Sequence, residues 1–581
     1  MRLLRTLLTA ASALIVVSCA VAPEPDSAVG AFLSARLAAN ENALEDAAAA
    51  YAETHSEAPG ERSILGRAFF FQLASGNVAK ANAFAERLVA FENGDPDGLA
   101  NLTLAVFAAD AGDYETARSR IAAMSSNATL KPAAALIDVW IEDGLSGPRA
   151  AIEKLRNPPE GVFRGFNPLH NAFLAEKAGD LDAARAAAQV ALLGFAGPVG
   201  REAYGAILER IGDKEAATEY YGLLRRDGGA GRRIAEAGGA RIARGSASAA
   251  FANVSPEEGM AIALFTFAAA VIDQTVDERT RAEEAGYIVG APRYNIPLAL
   301  SQLALFLDPN LQYARSLTGR IYNVYGDYAN AEAALGAIPP SSPLFEDARI
   351  EIARGQAARE ENNRAISTLK NTIARDKRAI DARLTLSNLY SIEDRHEDAV
   401  AVLDALVADY EAAPELTPAE DAWRLYIARG GSLLELDQWT RAEADLKRAV
   451  EIAPEEPDAL NYLGYSWAER GENLTEAFEL IEKAVALRPD SGAIIDSLGW
   501  AHYQLGNYDE AVVHLEDAAA KEPADPTITD HLGDVYWKLG RKIEARYQWR
   551  HVLDLDPDDD LKESVEGKLA SGLPQADKDA K

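Results

Sequence analysis

The sequence predicts an all-α fold, a superhelical solenoid of antiparallel helix pairs, and three observations carry that expectation. First, the stretches YLGYSWAERGENLTEAFELIEKAVALRP (462–489), SLGWAHYQLGNYDEAVVHLEDAAAKEP (497–523) and HLGDVYWKLGRKIEARYQWRHVLDLDP (531–557) align on one another. In them Ala477, Ala511 and Ala545 are 34 residues apart, as are Pro489, Pro523 and Pro557. Second, an alanine in the same phase recurs upstream, at Ala47, Ala81, Ala117, Ala151, Ala184 and Ala217 and again at Ala331, Ala365, Ala399 and Ala442. Third, 48% hydrophobic and 25% charged residues describe a folded chain, and 42 glycines and 26 prolines in 581 residues are ordinary usage.

Taken in order, residues 1–18 read as a secretory signal. Arg2 and Arg5 precede the apolar run Leu7–Val17, which is shorter than the ~20 residues a membrane-spanning helix needs. Val16-Val17-Ser18-Cys19 resembles the bacterial lipobox, with valine in place of the commoner leucine. That resemblance implies an acylated Cys19 as the mature N-terminus, and acyl chains anchor by burying ~0.8 kcal/mol per CH₂. Cys19 is the only cysteine, so no internal disulfide exists. Ala20 stands where aspartate often signals inner-membrane retention, so the resemblance implies the periplasmic face of the outer membrane. Residues 19–30, rich in proline and alanine, read as a tether.

Residues 31–224 read as an N-terminal array of degenerate repeats, with turns at Gly76-Asn77, Gly112-Asp113, Gly179-Asp180 and Gly212-Asp213. The ladder is interrupted at 225–256, where 225–250 holds six glycines and six arginines. An irregular or mobile joint between two arms is expected there, its arginines paired to nearby acids; a basic contact patch is the alternative. EEGMAIALFTFAAAVIDQT (257–275) is apolar nearly all round and should be deeply packed. Residues 257–560 form the C-terminal array, clearest over 423–557, and 561–581 read as a polar tail. In the clearest units, Leu463, Leu498 and Leu532 lie on an inward helical face. Gly464, Gly499 and Gly533 let helices approach, and Gly471, Gly506 and Gly540 end the first helix of each pair. The period and these positions resemble the tetratricopeptide repeat (TPR).

A formal charge of −32, from 58 basic and 90 acidic residues, argues against nucleic-acid binding, which needs basic patches. Catalysis needs convergent titratable groups, and none is evident: no GxSxG, HExxH, CxxC or GxxxxGK[ST] stretch occurs. His502, His514, His531 and His551 occupy four different repeat positions and so read as packing or surface residues rather than metal ligands. Asp556–Asp560 lacks the ligand spacing of a calcium loop. No enzyme activity, cofactor or metal is expected.

By resemblance, the TPR groove positions of the last three repeats fall on Asn461, Tyr465, Asp496, Trp500, Tyr503, Gln504, Asp530, Asp534, Trp537 and Lys538. The aromatics could stack on a bound peptide and the aspartates attract basic side chains, or Trp500, Tyr503 and Trp537 could simply pack between repeats. Lipobox, length and repeat array together resemble bacterial TPR lipoproteins that serve as outer-membrane adaptors of periplasmic C-terminal-processing proteases. The block 461–506 is the most specific part of that likeness. It implies a protein-binding adaptor that presents substrates to such a protease and so affects cell-wall hydrolase turnover. A lipidated scaffold for envelope assembly or polysaccharide export is the alternative.

Overall fold

The computed structural model describes residues 28–40, 43–91, 95–125, 128–156, 165, 167–192, 197–225, 229–284, 294–413 and 419–573. The signal segment and Cys19 lie outside them. Among the described residues every regular element is helical, and the fold is an α-solenoid of TPR type. The alanine ladder explains the regularity. Each of the thirteen ladder alanines is the fourth residue of a second helix, from Ala47 in Leu44–Glu57 to Ala545 in Lys542–Asp554. All are at most 1% exposed. A methyl group there lets the two helices of a pair close on each other, where a larger side chain would hold them apart.

The turns inside the pairs follow from two residue types. Gly112, Gly179, Gly212 and Gly326 have φ of 77–81°, the left-handed conformation that closes a helix. The aspartate after each one caps the next helix: Asp113, Asp180, Asp213 and Asp327 accept from the backbone N–H three residues on, at 3.0–3.3 Å.

The chain divides after Ala382 into two compact units. In the first, six helix pairs between Ala28 and Leu224 are followed by the helix Gly229–Arg244, by Pro256–Glu284 packed on Asn295–Leu307, and then by two more pairs. The long apolar helix Pro256–Glu284 packs on Lys131–Ser146, with Gly259 set against the Trp140 ring. By length and composition its Pro256–Arg281 stretch could cross a membrane, but 61% of its most apolar window is buried in the unit. Asn295–Leu307 lies against Arg62–Ala74 and Leu99–Asp110, both first helices of their pairs. Phe306 stacks on Phe107 with centroids 5.6 Å apart, and Gln302 donates to the Ala74 carbonyl at 3.2 Å. Three first helices of this unit, Arg62–Ala74, Leu99–Asp110 and Lys131–Ser146, are therefore covered by the unit's own helices.

The expected irregular joint at 225–256 is instead helical over Gly229–Arg244, and the boundary between units falls well beyond it. The reason is ionic and steric. Arg232, 6% exposed, meets Asp376 at 2.6 Å and Glu236 at 3.2 Å. Arg233 reaches Glu346, and Arg241 meets Glu209 at 2.8 Å. A side chain at Gly238 would collide with the Tyr221 ring, 2.2 Å from a Cβ placed there. Gly238 thus serves close packing in this segment, and Arg232, Arg233 and Arg241 are paired to acids.

The second unit holds five helix pairs, from Ile380–Ile392 with His396–Ala412 to Pro526–Lys538 with Lys542–Asp554. A last helix, Asp559–Ser571, follows them. The stretch read as a polar tail is therefore structured as far as 571. Asp558 caps this helix by accepting from Leu561 N–H at 2.8 Å, and Val565 is buried beneath it.

Candidate functional site in the C-terminal repeats

The candidate groove is lined by the first helices Pro457–Arg470, Gly492–Gln504 and Pro526–Lys538. Proline at the start of the first and third supplies a fixed φ where no N–H is needed. A Cβ on Gly464 would sit 2.9 Å from the Ala477 carbonyl oxygen and 2.7 Å from Ile481, so glycine sets the distance to the paired helix.

The ten expected groove residues separate into two intrachain clusters and a remainder. In the first cluster Asp496 and His531, both buried, face each other across adjacent first helices, with His531 Nδ1 2.9 Å from Asp496 Oδ2. Trp500 stacks on His531 (centroids 4.0 Å, planes 16° apart) and on Tyr503 (4.6 Å, 7°). Burial works against the charged imidazole, but the carboxylates of Asp496, Asp530 and Asp534 together outweigh it and hold the His531 pKa above its usual value.

The second cluster is closed by the last helix. Lys568 Nζ lies 2.7 Å from Asp530 Oδ2 and 2.9 Å from Asp534 Oδ2. Trp549 Nε1 donates to Asp534 Oδ1 at 3.0 Å. Burial, and then the neighbouring Asp530 carboxylate, push Asp534 up to about 6, against the pull of Lys568. Trp537 packs on Trp549, with centroids 5.3 Å apart, and Gly572 lies against its ring. The three aspartates expected to attract a partner's basic side chains thus already face His531 and Lys568 of the same unit. Trp500, Tyr503 and Trp537 have intrachain ring partners, as the packing alternative requires.

Four positions remain, Gln504, Lys538, Asn461 and Tyr465. Gln504 is exposed, and Lys538 is half-buried with its ammonium 6.0 Å from the Tyr503 ring centroid. Asn461 and Tyr465 are half-buried, and Asn461 Oδ1 is shielded without a hydrogen-bond partner. Sequence reasoning missed His531 and Lys568. The signal for Lys568 was present: a capping Asp558 followed by Leu561, Val565 and Leu569 at helical spacing. Among the described residues no three His, Cys, Asp or Glu side chains are placed to hold a metal ion.

Family models described as "Tetratricopeptide repeat" and "TPR repeat" match residues 427–492 and 499–540. The chain carries tetratricopeptide repeats. A TPR repeat-containing protein of Pseudomonas aeruginosa is 45% identical over 69 residues, 12% of this chain and 12% of that protein. Protein O-mannosyl-transferase Tmtc1 of Drosophila melanogaster is 33% identical over 126 residues, 21% of this chain and 14% of that enzyme. The chain thus spans about an eighth of the length of the curated relatives it matches, and a match of that extent brings no transferase activity with it. Among solved structures, a chain of the APC/C hetero-tetramer Cut9-Hcn1 is 14% identical with 95% of this chain and 97% of that one covered, at a TM-score of 0.37. A tetratricopeptide repeat protein of Parabacteroides merdae is 15% identical over 45% of this chain and 97% of its own, also at 0.37. TPR arrays bind proteins, which makes this chain a protein-interaction scaffold.

Proposed function

We propose that this scaffold is non-catalytic, is held at the periplasmic face of the outer membrane by an acylated Cys19, and presents substrates to a C-terminal-processing protease. Cell-wall hydrolases are the substrates the resemblance implies. The observation that carries the reading is the repeat array of 427–540, matched to TPR families, with Gln504 exposed and Asn461 and Lys538 half-buried on its first helices. The lipobox-like Val16–Cys19 supports the anchor, and the short match to a Pseudomonas TPR protein agrees with the family resemblance.

The mechanism is tethering. Two proteins held on one short scaffold meet at an effective concentration of order millimolar, without any chemistry by the scaffold. Because Asp496, Asp530 and Asp534 already face His531 and Lys568, a bound segment is read by hydrogen bonds and apolar contact at Asn461, Gln504 and Lys538. Affinity capture of the anchored chain from membranes tests this. Recovery of a processing protease is expected; recovery of export or assembly components alone would overturn the adaptor reading. A Cys19→Ala chain should leave the membrane fraction, and its retention there would remove the anchor.

A further inference from the structure

The helix Ala28–Asn40 is the first of the described repeats and turns a pair of leucines outward. AVGAFLSARLAAN contains no carboxylate, and Arg36 is its one charged residue. Its inner stripe belongs to the core: Ala31 and Ala35 are buried, and Phe32 meets Tyr51 edge-on at 6.4 Å. The opposite stripe holds Leu33 and Leu37, one turn apart and 46% and 59% exposed, with exposed Arg36 beside them. Terminal helices of repeat arrays ordinarily turn a polar face outward. The helix Asp559–Ser571 does so, with exposed Asp559, Glu563 and Glu566. Ala28–Asn40 turns leucines outward instead.

Eight residues, Ala20 to Ser27, separate Cys19 from Ala28. At ~3.5 Å per residue they reach no farther than about 30 Å, so an acylated Cys19 keeps this helix beside the bilayer. We propose that the Leu33/Leu37 face docks on the lipid surface, its leucines at the headgroup–acyl boundary and Arg36 among anionic headgroups. This rests on the reading of Cys19 as the acylated residue. Two leucines are too little apolar area to bind a membrane from solution, but a short covalent tether makes docking intramolecular, where a weak interaction suffices. The docked helix then fixes which side of the first repeats faces the periplasm.

The unique cysteine allows a test that does not depend on cellular acylation. The chain from residue 19 is coupled through Cys19 to a maleimide-headgroup lipid in phosphatidylethanolamine–phosphatidylglycerol vesicles. A Leu37→Trp variant reports by its emission in excess of the wild-type chain, and Leu33→Trp repeats the measurement. On coupling, that added emission should shift to the blue, and brominated acyl chains should quench about half of it. The added emission of Val513→Trp, at a 63% exposed position, should stay unquenched. Equal behaviour of the reporters would overturn the proposal. So would a blue-shifted Leu37→Trp emission before vesicles are added, since the chain's own tether would then cover the face. Acylation in cells is read separately from the mass of the N-terminal peptide, so failure of the anchor and failure of the docked face are distinguishable.

Discussion

Lys568 is the single residue on which the end of the second unit most depends. It is the cation beside two buried carboxylates, and Asp530 Oδ1 is shielded with no hydrogen-bond partner at all. Lys568→Met leaves both acids uncompensated and should cost roughly 2–4 kcal/mol in chemical denaturation. Adding Asp530→Asn and Asp534→Asn should recover much of that loss; no recovery would mean the lysine acts through packing alone. The Asp496–His531 pair gives a pH dependence. The folded-state pKa of His531 is raised above 6.5, so its stabilisation is fully present below that value and is lost as pH rises through the folded pKa. The stability gap between wild type and His531→Gln should therefore narrow from about pH 6.5 upward. A gap that widens there would contradict the pair. Neither residue was legible as a partner in the sequence, because the pairing joins residues 34 or more positions apart on helices whose spatial order only the stacking decides.

The helix pair itself was legible almost completely. Its register is written in small residues: an alanine at the fourth position of every second helix, and in several pairs a glycine–aspartate turn before it. Two glycine substitutions check that logic at opposite signs. Gly464→Ala should destabilise by about 1–3 kcal/mol, because its Cβ would press on the Ala477 carbonyl, a backbone atom that cannot step aside. Gly567→Ala, in a helix with nothing within 4 Å, should stabilise by about 0.5–1 kcal/mol. Thermal denaturation of the two variants decides it, and equal signs would refute the close-approach argument. The Gly/Arg-rich segment misled because glycine was read as flexibility. There Gly238 makes room for Tyr221, and Arg232 and Arg233 hold the helix to acids distant in sequence.

At the scale of the molecule, sequence period settled the fold class but not how the units use their faces. The apolar run at 257–275 announced a buried helix. That this helix and Asn295–Leu307 would cover three first helices of their own unit could not be read from periodicity. The consequence is functional: the groove of the second unit, at Asn461, Gln504 and Lys538, becomes the place to look for a partner. On the proposed function, the chain brings proteins together without chemistry of its own. The most direct measurement incubates the lipid-tethered chain with the captured processing protease and a cell-wall hydrolase, and follows hydrolase degradation. Degradation at least about tenfold faster with the chain than with protease alone, and none with the chain alone, is expected. Cleavage by the chain alone, or no acceleration in its presence, would contradict the account.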